Sequence, residues 1–507
     1  MMTCVGRKSL LLLSLMMMSP ATVWAQSDSR DDAIFGEEED QTDLPTPTAD
    51  PGVLNQFDAS ADEREDALFG SEYGGLEIGT NEWDLLTKDR LQIGGMLYLR
   101  YTAAGYDGGD GWDPATTMPN LLDLYVDGRP NDRVRGFVKG RLRFDPVTRT
   151  AFPGIPDSTI EELKTLREEA AALGASDEDL AVFDGLIRPP PKTRTQLDQF
   201  WLKFDIGRRL YVTVGKQPIH WGTTRIWNPV DVINSTRREP LALFDGRSGV
   251  TALKLHIPIE SLSWNLIGLA LLEDADAMSE IGGALRLEMV FSTVEMAISG
   301  MVRNQVMADG TEMVIPKIGL DLSAGIWELD VTAEVSASFD DQTRLGDLTA
   351  GNREVLLQAA GGISYTAKYS DEDFLVTGIE YFYNPDGYSD KKGYKTAFVT
   401  PGAFNPFYMG QHYGAFYIAL PGPGTWDYTN FTLSNIANFS DLSFTSRFDF
   451  SVTALTYLSV QAYASVYYGT KGGEFRFGFE DGELGFPGSP GIPYPLFTLG
   501  VNLRIDI

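Results

Sequence analysis

The stretch Asp441-Leu442-Ser443-Phe444-Thr445-Ser446-Arg447-Phe448-Asp449-Phe450-Ser451-Val452 reads with a period of two. Leu442, Phe444, Phe448, Phe450 and Val452 fall on one face. Asp441, Ser443, Thr445, Arg447, Asp449 and Ser451 fall on the other. Successive side chains of a strand point to opposite faces, so this is a strand with one apolar and one polar side. Trp327–Phe339 repeats the pattern, with Trp327, Leu329, Val331, Ala333, Val335 and Phe339 set against Glu328, Asp330, Thr332, Glu334, Ser336 and Ser338. Two-faced segments of about ten residues mark a transmembrane β-barrel. A soluble sandwich also alternates, but its strands usually run to about five or six residues.

Working outward, the same alternation predicts strands at roughly 91–101, 119–128, 133–144, 196–206, 209–217, 249–258, 261–272, 281–291, 293–303, 313–323, 326–339, 354–369, 373–384, 411–420, 426–436, 441–452, 455–468 and 495–507. The expected fold class is all-β: an antiparallel barrel of about eighteen strands (16–18) spanning residues 89–507. Short links (Gly128–Asp132, Gly207-Arg208, Glu260, Ser292, Ser370–Glu372, Pro421–Thr425, Thr453-Ala454) alternate with long ones, as periplasmic turns and outer loops do, if Gly469–Pro493, with a small strand at Phe475–Phe479, is one long outer hairpin. In the last segment Phe497, Leu499, Val501, Leu503, Ile505 and Ile507 form an apolar row, opposed by Thr498, Asn502, Arg504 and Asp506. An amphipathic strand ending at the carboxyl terminus resembles the signal read by the barrel assembly machinery, although an aromatic is usual where Ile507 stands.

Two long links stand apart. Residues 146–195 carry helix signals: Ser158-x-x-Glu161 is a capping box opening a run to Leu173, Ser176-x-x-Asp179 resembles a second start, and Pro189-Pro190-Pro191 ends the unit. A helical hairpin insert in an outer loop is expected there. Residues 218–248 hold Trp221, Gly222, Arg225, Trp227, Asn228, Pro229, Asp231, Arg237, Arg238, Asp245 and Arg247. Eighteen strands enclose more space than wall side chains can fill, and this third outer loop is expected to fold inward and form the constriction. The plainer alternative has it packing on its own wall, with its arginines paired to Asp231, Glu239 and Asp245.

A charged row would cost about 2–4 kcal/mol per residue on the lipid side at midplane. Arg133, Arg135, Lys139, Arg141 and Arg143 alternate with Val134, Val138, Leu142 and Phe144, so the basic row is predicted to face the lumen. Such a row suits anion selection, or it is neutralised by acids such as Glu328, Asp330 and Glu334.

The amino terminus reads as an address. Arg7 and Lys8 precede the apolar run Ser9–Met18, which is too short to span a bilayer, and Val23-Trp24-Ala25 offers a cleavage site. Residues 1–25 are therefore expected to be a signal peptide. The single cysteine, Cys4, lies within it. Residues 26–88 form an acidic tail expected to be disordered and periplasmic; Ser27–Asp84 holds eighteen acids and two bases, 2 − 18 = −16 of the total −30. Within it Asp32-Ala33-Ile34-Phe35-Gly36 and Asp66-Ala67-Leu68-Phe69-Gly70 recur, with Phe35 and Phe69 as candidate docking anchors for periplasmic envelope proteins. The net charge excludes a general nucleic-acid binder. His220, His256 and His412 lack metal-ligand spacing, so no metal, cofactor or catalytic residue is expected and the protein is not expected to be an enzyme.

Gly215-Lys216-Gln217, Gly222, Arg225, Trp227 and Phe244-Asp245-Gly246 resemble the G-[RK]-Q…G…R…W…FDG pattern of alginate-export-type outer-membrane barrels. Trp221-Gly222…Asn228-Pro229-Val230-Asp231 is also similar to porin-like barrels of Gram-negative bacteria. The resemblance covers some forty residues. It implies an eighteen-strand conduit in which Lys216, Arg225 and Asp245 face the lumen. The acidic tail and helical insert depart from it. Together these readings predict an outer-membrane conduit for polar or anionic solutes, an anionic polysaccharide among them, in contact with outer-membrane lipid and lipopolysaccharide. The rival is a structural barrel of a cell-envelope machine that recruits partners through its tail.

Overall fold

The computed structural model describes residues 90–107, 115–147, 157–172, 191–234, 236–242, 244–273, 275, 277–306, 312–340, 354–370, 373–399, 404–483 and 491–507. The signal peptide, the acidic tail with Phe35 and Phe69, and the helix start at Ser176 lie outside these residues.

The chain order is β1 (Leu91–Asp107), β2 (Ala115–Thr117), β3 (Asn120–Asn131), β4 (Val134–Phe144), α1 (Asp157–Ala172), β5 (Thr193–Ile206), β6 (Leu210–Gln217), β7 (Val250–Ile259), β8 (Trp264–Leu271), β9 (Gly282–Phe291) and β10 (Val294–Val306). There follow β11 (Glu312–Ile326), β12 (Leu329–Asp340), β13 (Glu354–Lys368), β14 (Phe374–Tyr383), α2 (Tyr394–Val399), β15 (His412–Pro421), β16 (Thr429–Asn438), β17 (Ser443–Leu455), β18 (Leu458–Gly469) and β19 (Tyr494–Asp506). Every strand pairs antiparallel with its neighbours, and β1 closes the sheet against β19 from Met96↔Asp506 to Asp107↔Tyr494. The three-residue β2 only extends the β3 edge along β1, so the nineteen strands of the described residues make a barrel of eighteen staves. Closure leaves no unpaired edge, which a bilayer interior demands of any sheet.

The alternation sorts side chains as the sequence predicts. Leu124, Val126, Val138, Leu202, Val214, Leu285, Ile298, Val335, Phe448 and Val501 are exposed on the outside, while Arg141, Asp321, Glu334, Ser443 and Thr445 are buried on the inside. The start of β1 and the end of β19 lie at the barrel end that carries the tight turns, where Gly207, Arg208, Ser263, Ser292 and Trp327 adopt left-handed backbone.

Three expectations need correction. Trp327 is no strand residue: Ile326 pairs with Leu329, and Trp327 (φ 60°) sits in the turn between them, almost fully exposed. Asp441 and Leu442 also belong to a turn, because Asn438 already pairs with Ser443. There the Asp441 and Asn438 carboxyl and amide oxygens accept from the Ser443 and Ser440 N–H groups at 2.7 and 2.9 Å. Such side-chain bonds compete with the ladder. Phe475–Phe479 forms no strand; a 3-10 turn at Glu474–Arg476 and one bridge, Phe479↔Ile492, replace it. Of the expected helical hairpin the described residues contain one helix, α1.

Candidate functional site

The described residues of 218–249, between β6 and β7, fold into the lumen and meet the wall on nearly every side. Ile219, Trp221, Val230 and Ile233 pack on Ala252, Ile267, Leu269, Leu271, Ala284 and Met301 of β7–β10. Further round, Ile226 and Trp227 pack among Phe382, Tyr413, Tyr417 and Ile436 of β14–β16, with the Trp227 and Phe382 rings stacked at 5.5 Å. Phe244 meets the Tyr98 ring of β1 edge-on at 4.9 Å and joins Met96 and Leu121. Large rigid rings give the insert anchoring area at low entropic cost.

Two wall carboxylates clasp its backbone. Glu334 of β12, fully buried, accepts from the N–H groups of Thr223 (2.5 Å), Thr224 (2.7 Å) and Val230 (3.1 Å), from the Thr224 hydroxyl (2.7 Å) and from the Asn228 amide (3.3 Å). Glu380 of β14 accepts from the consecutive N–H groups of Arg225 (3.0 Å), Ile226 (3.1 Å) and Trp227 (2.8 Å). Successive N–H groups converging on one anion form a nest, in which oriented dipoles replace a counter-cation. Gly222 (φ 115°) makes the approach possible, because a Cβ there would lie 2.6 Å from a Glu334 oxygen.

The base of the insert is tied by Arg247, whose guanidinium donates to Asp245 (2.7 Å) and Asp231 (2.8 Å), while the Asn234 amide donates to the Ile219 carbonyl (2.7 Å). Burial disfavours the Arg247 charge, but Asp245 and Asp231 outweigh that and hold its pKa above the ordinary arginine value.

The basic row of β4 faces inward, but its partners are not those expected from sequence. Arg141 forks onto Asp123 (2.9 Å, two bonds) and donates to the Gly246 carbonyl (2.8 Å), which Arg143 also reaches (3.1 Å). Lys139 pairs with Asp198 at 2.9 Å, and Arg135 with Asp127 at 3.1 Å. Asp198 is available because a bulge in β5 (Lys139↔Gln199, then Gly140↔Leu197) turns Asp198 and Gln199 both inward. Thus Asp123, Asp127 and Asp198 neutralise the row, whereas Glu334 is committed to the insert. Arg133 lies at the short-turn end, paired with Asp205 at 2.9 Å.

Among the insert's arginines, Arg225 lies with its guanidinium 4.6 Å from the Tyr417 ring centroid, and no carboxylate pairs with it among the described residues. Arg237 lies over Tyr408 (4.8 Å) and 3.5 Å from Asp386; Arg238 donates to the Arg225 carbonyl at 3.3 Å. Pro229 is buried with Val230 against the wall. Lys216 is not in the lumen. It pairs with Phe200 and Thr251, and opposed residues share a face, so it points outward with Val214 near the outer rim. Glu380 carries no expectation from the sequence, although it is the one charged residue in Phe374–Tyr383, and a lone acid in such a strand is the available signal.

A closed antiparallel barrel with an apolar exterior, a polar interior and a loop folded into its lumen is a porin-like outer-membrane β-barrel. No protein-family model matches the sequence and no curated protein matches it, so the likeness to alginate-export-type barrels has no family match behind it. Among solved structures the chain is similar to Acinetobacter baumannii OccAB1 (10% identity, 82% of this chain and 96% of that one, TM-score 0.45). Others are Pseudomonas aeruginosa OccK11 (10%, 86% and 99%, 0.45) and a loop-deletion form of Vibrio cholerae OmpT (11%, 83% and 100%, 0.34).

Proposed function

We propose that the protein is a passive outer-membrane channel for small polar and anionic solutes, with residues 218–249 as its selectivity element. One observation carries this reading. Glu334 and Glu380 are engaged by the insert's backbone N–H groups, while Arg225, which pairs with no carboxylate among the described residues, and Arg237, 3.5 Å from Asp386, keep partly exposed side chains. A strongly acidic protein thereby presents a locally cationic constriction. Cationic rings favour anions, and low-dielectric walls focus their field. The basic row supports the insert through Gly246 and adds a field that Asp123, Asp127 and Asp198 offset. An insert touching the wall on nearly every side favours small solutes over an anionic polysaccharide chain.

The test is ion selectivity in planar bilayers under a salt gradient. Replacing Arg225 and Arg237 by Glu should move the reversal potential toward cations, and more so at 0.1 M salt, where the Debye length is about 10 Å, than at 1 M, where it is about 3 Å. An unchanged reversal potential at 0.1 M overturns the assignment. A protein that inserts and never conducts would instead be the structural barrel.

A further inference from the structure

Above the insert, the outer loop between β14 and β15 and the hairpin between β18 and β19 dock on each other. Tyr394, Ala397 and Met409 of the first are packed with Tyr388, Phe404 and Phe477, and the Phe404 and Phe477 rings lie 4.5 Å apart. Beneath this cap lies Glu474, buried. One of its oxygens accepts from the Met409 N–H (3.1 Å), the other from the Tyr413 hydroxyl (2.7 Å) and the Asn438 amide (2.7 Å). A second carboxylate, Asp441, is held on the same Asn438 amide (3.0 Å) and accepts the Glu474 N–H (2.8 Å).

The segment that Glu474 grips also touches the insert. The Phe407 carbonyl accepts from the Trp227 indole N–H (3.2 Å), and the Tyr408 hydroxyl donates to the Arg238 carbonyl (2.8 Å). Meanwhile the Phe407 ring meets Phe475 of the hairpin at 5.4 Å. Phe407 holds φ 69°, a left-handed backbone that a bulky residue adopts only where its surroundings impose it. Three consecutive residues thus join cap, wall and constriction.

We propose that Phe407-Tyr408-Met409 couples the outer cap to the lumenal insert, with the Glu474 carboxyl as a catch that holds the cap docked when protonated and releases it when ionised. This rests on reading the insert as the channel's constriction. The groups facing Glu474 are Asp441 from the β16–β17 turn, Asn438 from β16, Tyr413 from β15, the Met409 N–H from the outer loop and, through Asn438, the Tyr394 hydroxyl of α2 (3.1 Å). None of these described groups is a cation; Arg476 of the same hairpin is paired with Asp107 (3.3 Å), and Lys395 with Glu483 (2.8 Å). Burial above all, with Asp441 adding to it, pushes the Glu474 pKa up from 4.5 to about 7 against the hydrogen bonds it accepts. A raised carboxyl pKa favours the docked cap at low pH. That advantage is lost as pH rises from the undocked to the docked value, and stays lost above it.

Single-channel recording of the full-length protein between pH 4.5 and 8.5 tests this. The ratio of loosened to docked conductance states should rise by up to about tenfold per pH unit toward pH 7 and then level off, as release of one proton requires. Glu474→Gln should remove the slope and leave the ratio independent of pH, because the titrating group is gone. Cross-linking the cap through Phe404→Cys and Phe477→Cys should flatten the profile, and a reductant should restore it. The same slope in Glu474→Gln, or a slope surviving the cross-link, overturns the proposal. Should no conductance appear, the channel reading fails by itself. A spin label on Lys471→Cys still decides the catch: mobility rising with pH only when Glu474 is present supports it, and equal mobility overturns it.

Discussion

Glu334→Gln is the perturbation that most directly probes the clasp. The side chain keeps its shape, but the charge is gone and one of its two oxygens becomes an NH2 group. The native oxygens serve Thr223, Thr224 and Asn228 on one side and Val230 on the other. Whichever way the amide turns, at least one buried N–H faces a donor. Hydrogen bonds to a charged acceptor contribute about 1.5–3 kcal/mol each, and a buried donor left unmet costs about 1–3 kcal/mol. A net loss of about 2–4 kcal/mol for the docked insert follows, or roughly a 30- to 1,000-fold rise in its undocked fraction at 1.4 kcal/mol per tenfold. Glu380→Gln should act alike, since the Arg225, Ile226 and Trp227 N–H groups converge on it. The barrel ladder does not depend on either side chain, so heat-modifiable migration on gels should persist. Single-channel recordings should show larger and noisier conductance in each variant, and more in the double variant. If the double variant assembles and matches the native conductance and its variance, the clasp does not hold the constriction.

Other expectations follow from the same contacts. Gly222→Ala should reproduce the noisy conductance of Glu334→Gln, because its Cβ would collide with that carboxylate and its φ of 115° resists a side chain. Asp123→Ala should lower the thermal unfolding midpoint on heat-modifiability gels, since removing one partner of a buried ion pair costs about 3–5 kcal/mol; an unchanged midpoint would mean that Lys139 and Arg141 find full compensation in Asp198. Lys216→Glu should leave the reversal potential where it is, because the side chain faces outward; a shift toward cations would place it in the conduction path after all.

Much of this architecture is determined locally. A period-two pattern with an apolar and a polar face needs no knowledge of neighbours, and all eighteen staves lie where that pattern puts them, with ends displaced by a few residues. The inward direction of the β4 basic row and the exceptional character of residues 218–248 follow in the same way, from the cost of charge against lipid and from local composition. Trp327 and Leu442 were misplaced because turn residues can continue an alternation by chance, and only pairing across the sheet shows where the ladder stops. Tertiary structure alone decided the partners. Which acid meets Arg141, why a bulge delivers Asp198, and that Glu334 and Glu380 serve backbone N–H groups rather than arginines all depend on residues far apart in sequence. Sequence distance carries no information about such contacts. Lys216 marks the same boundary: its motif pointed to the lumen, but one residue of register separates the two faces of a strand, and register is set by the neighbouring strands.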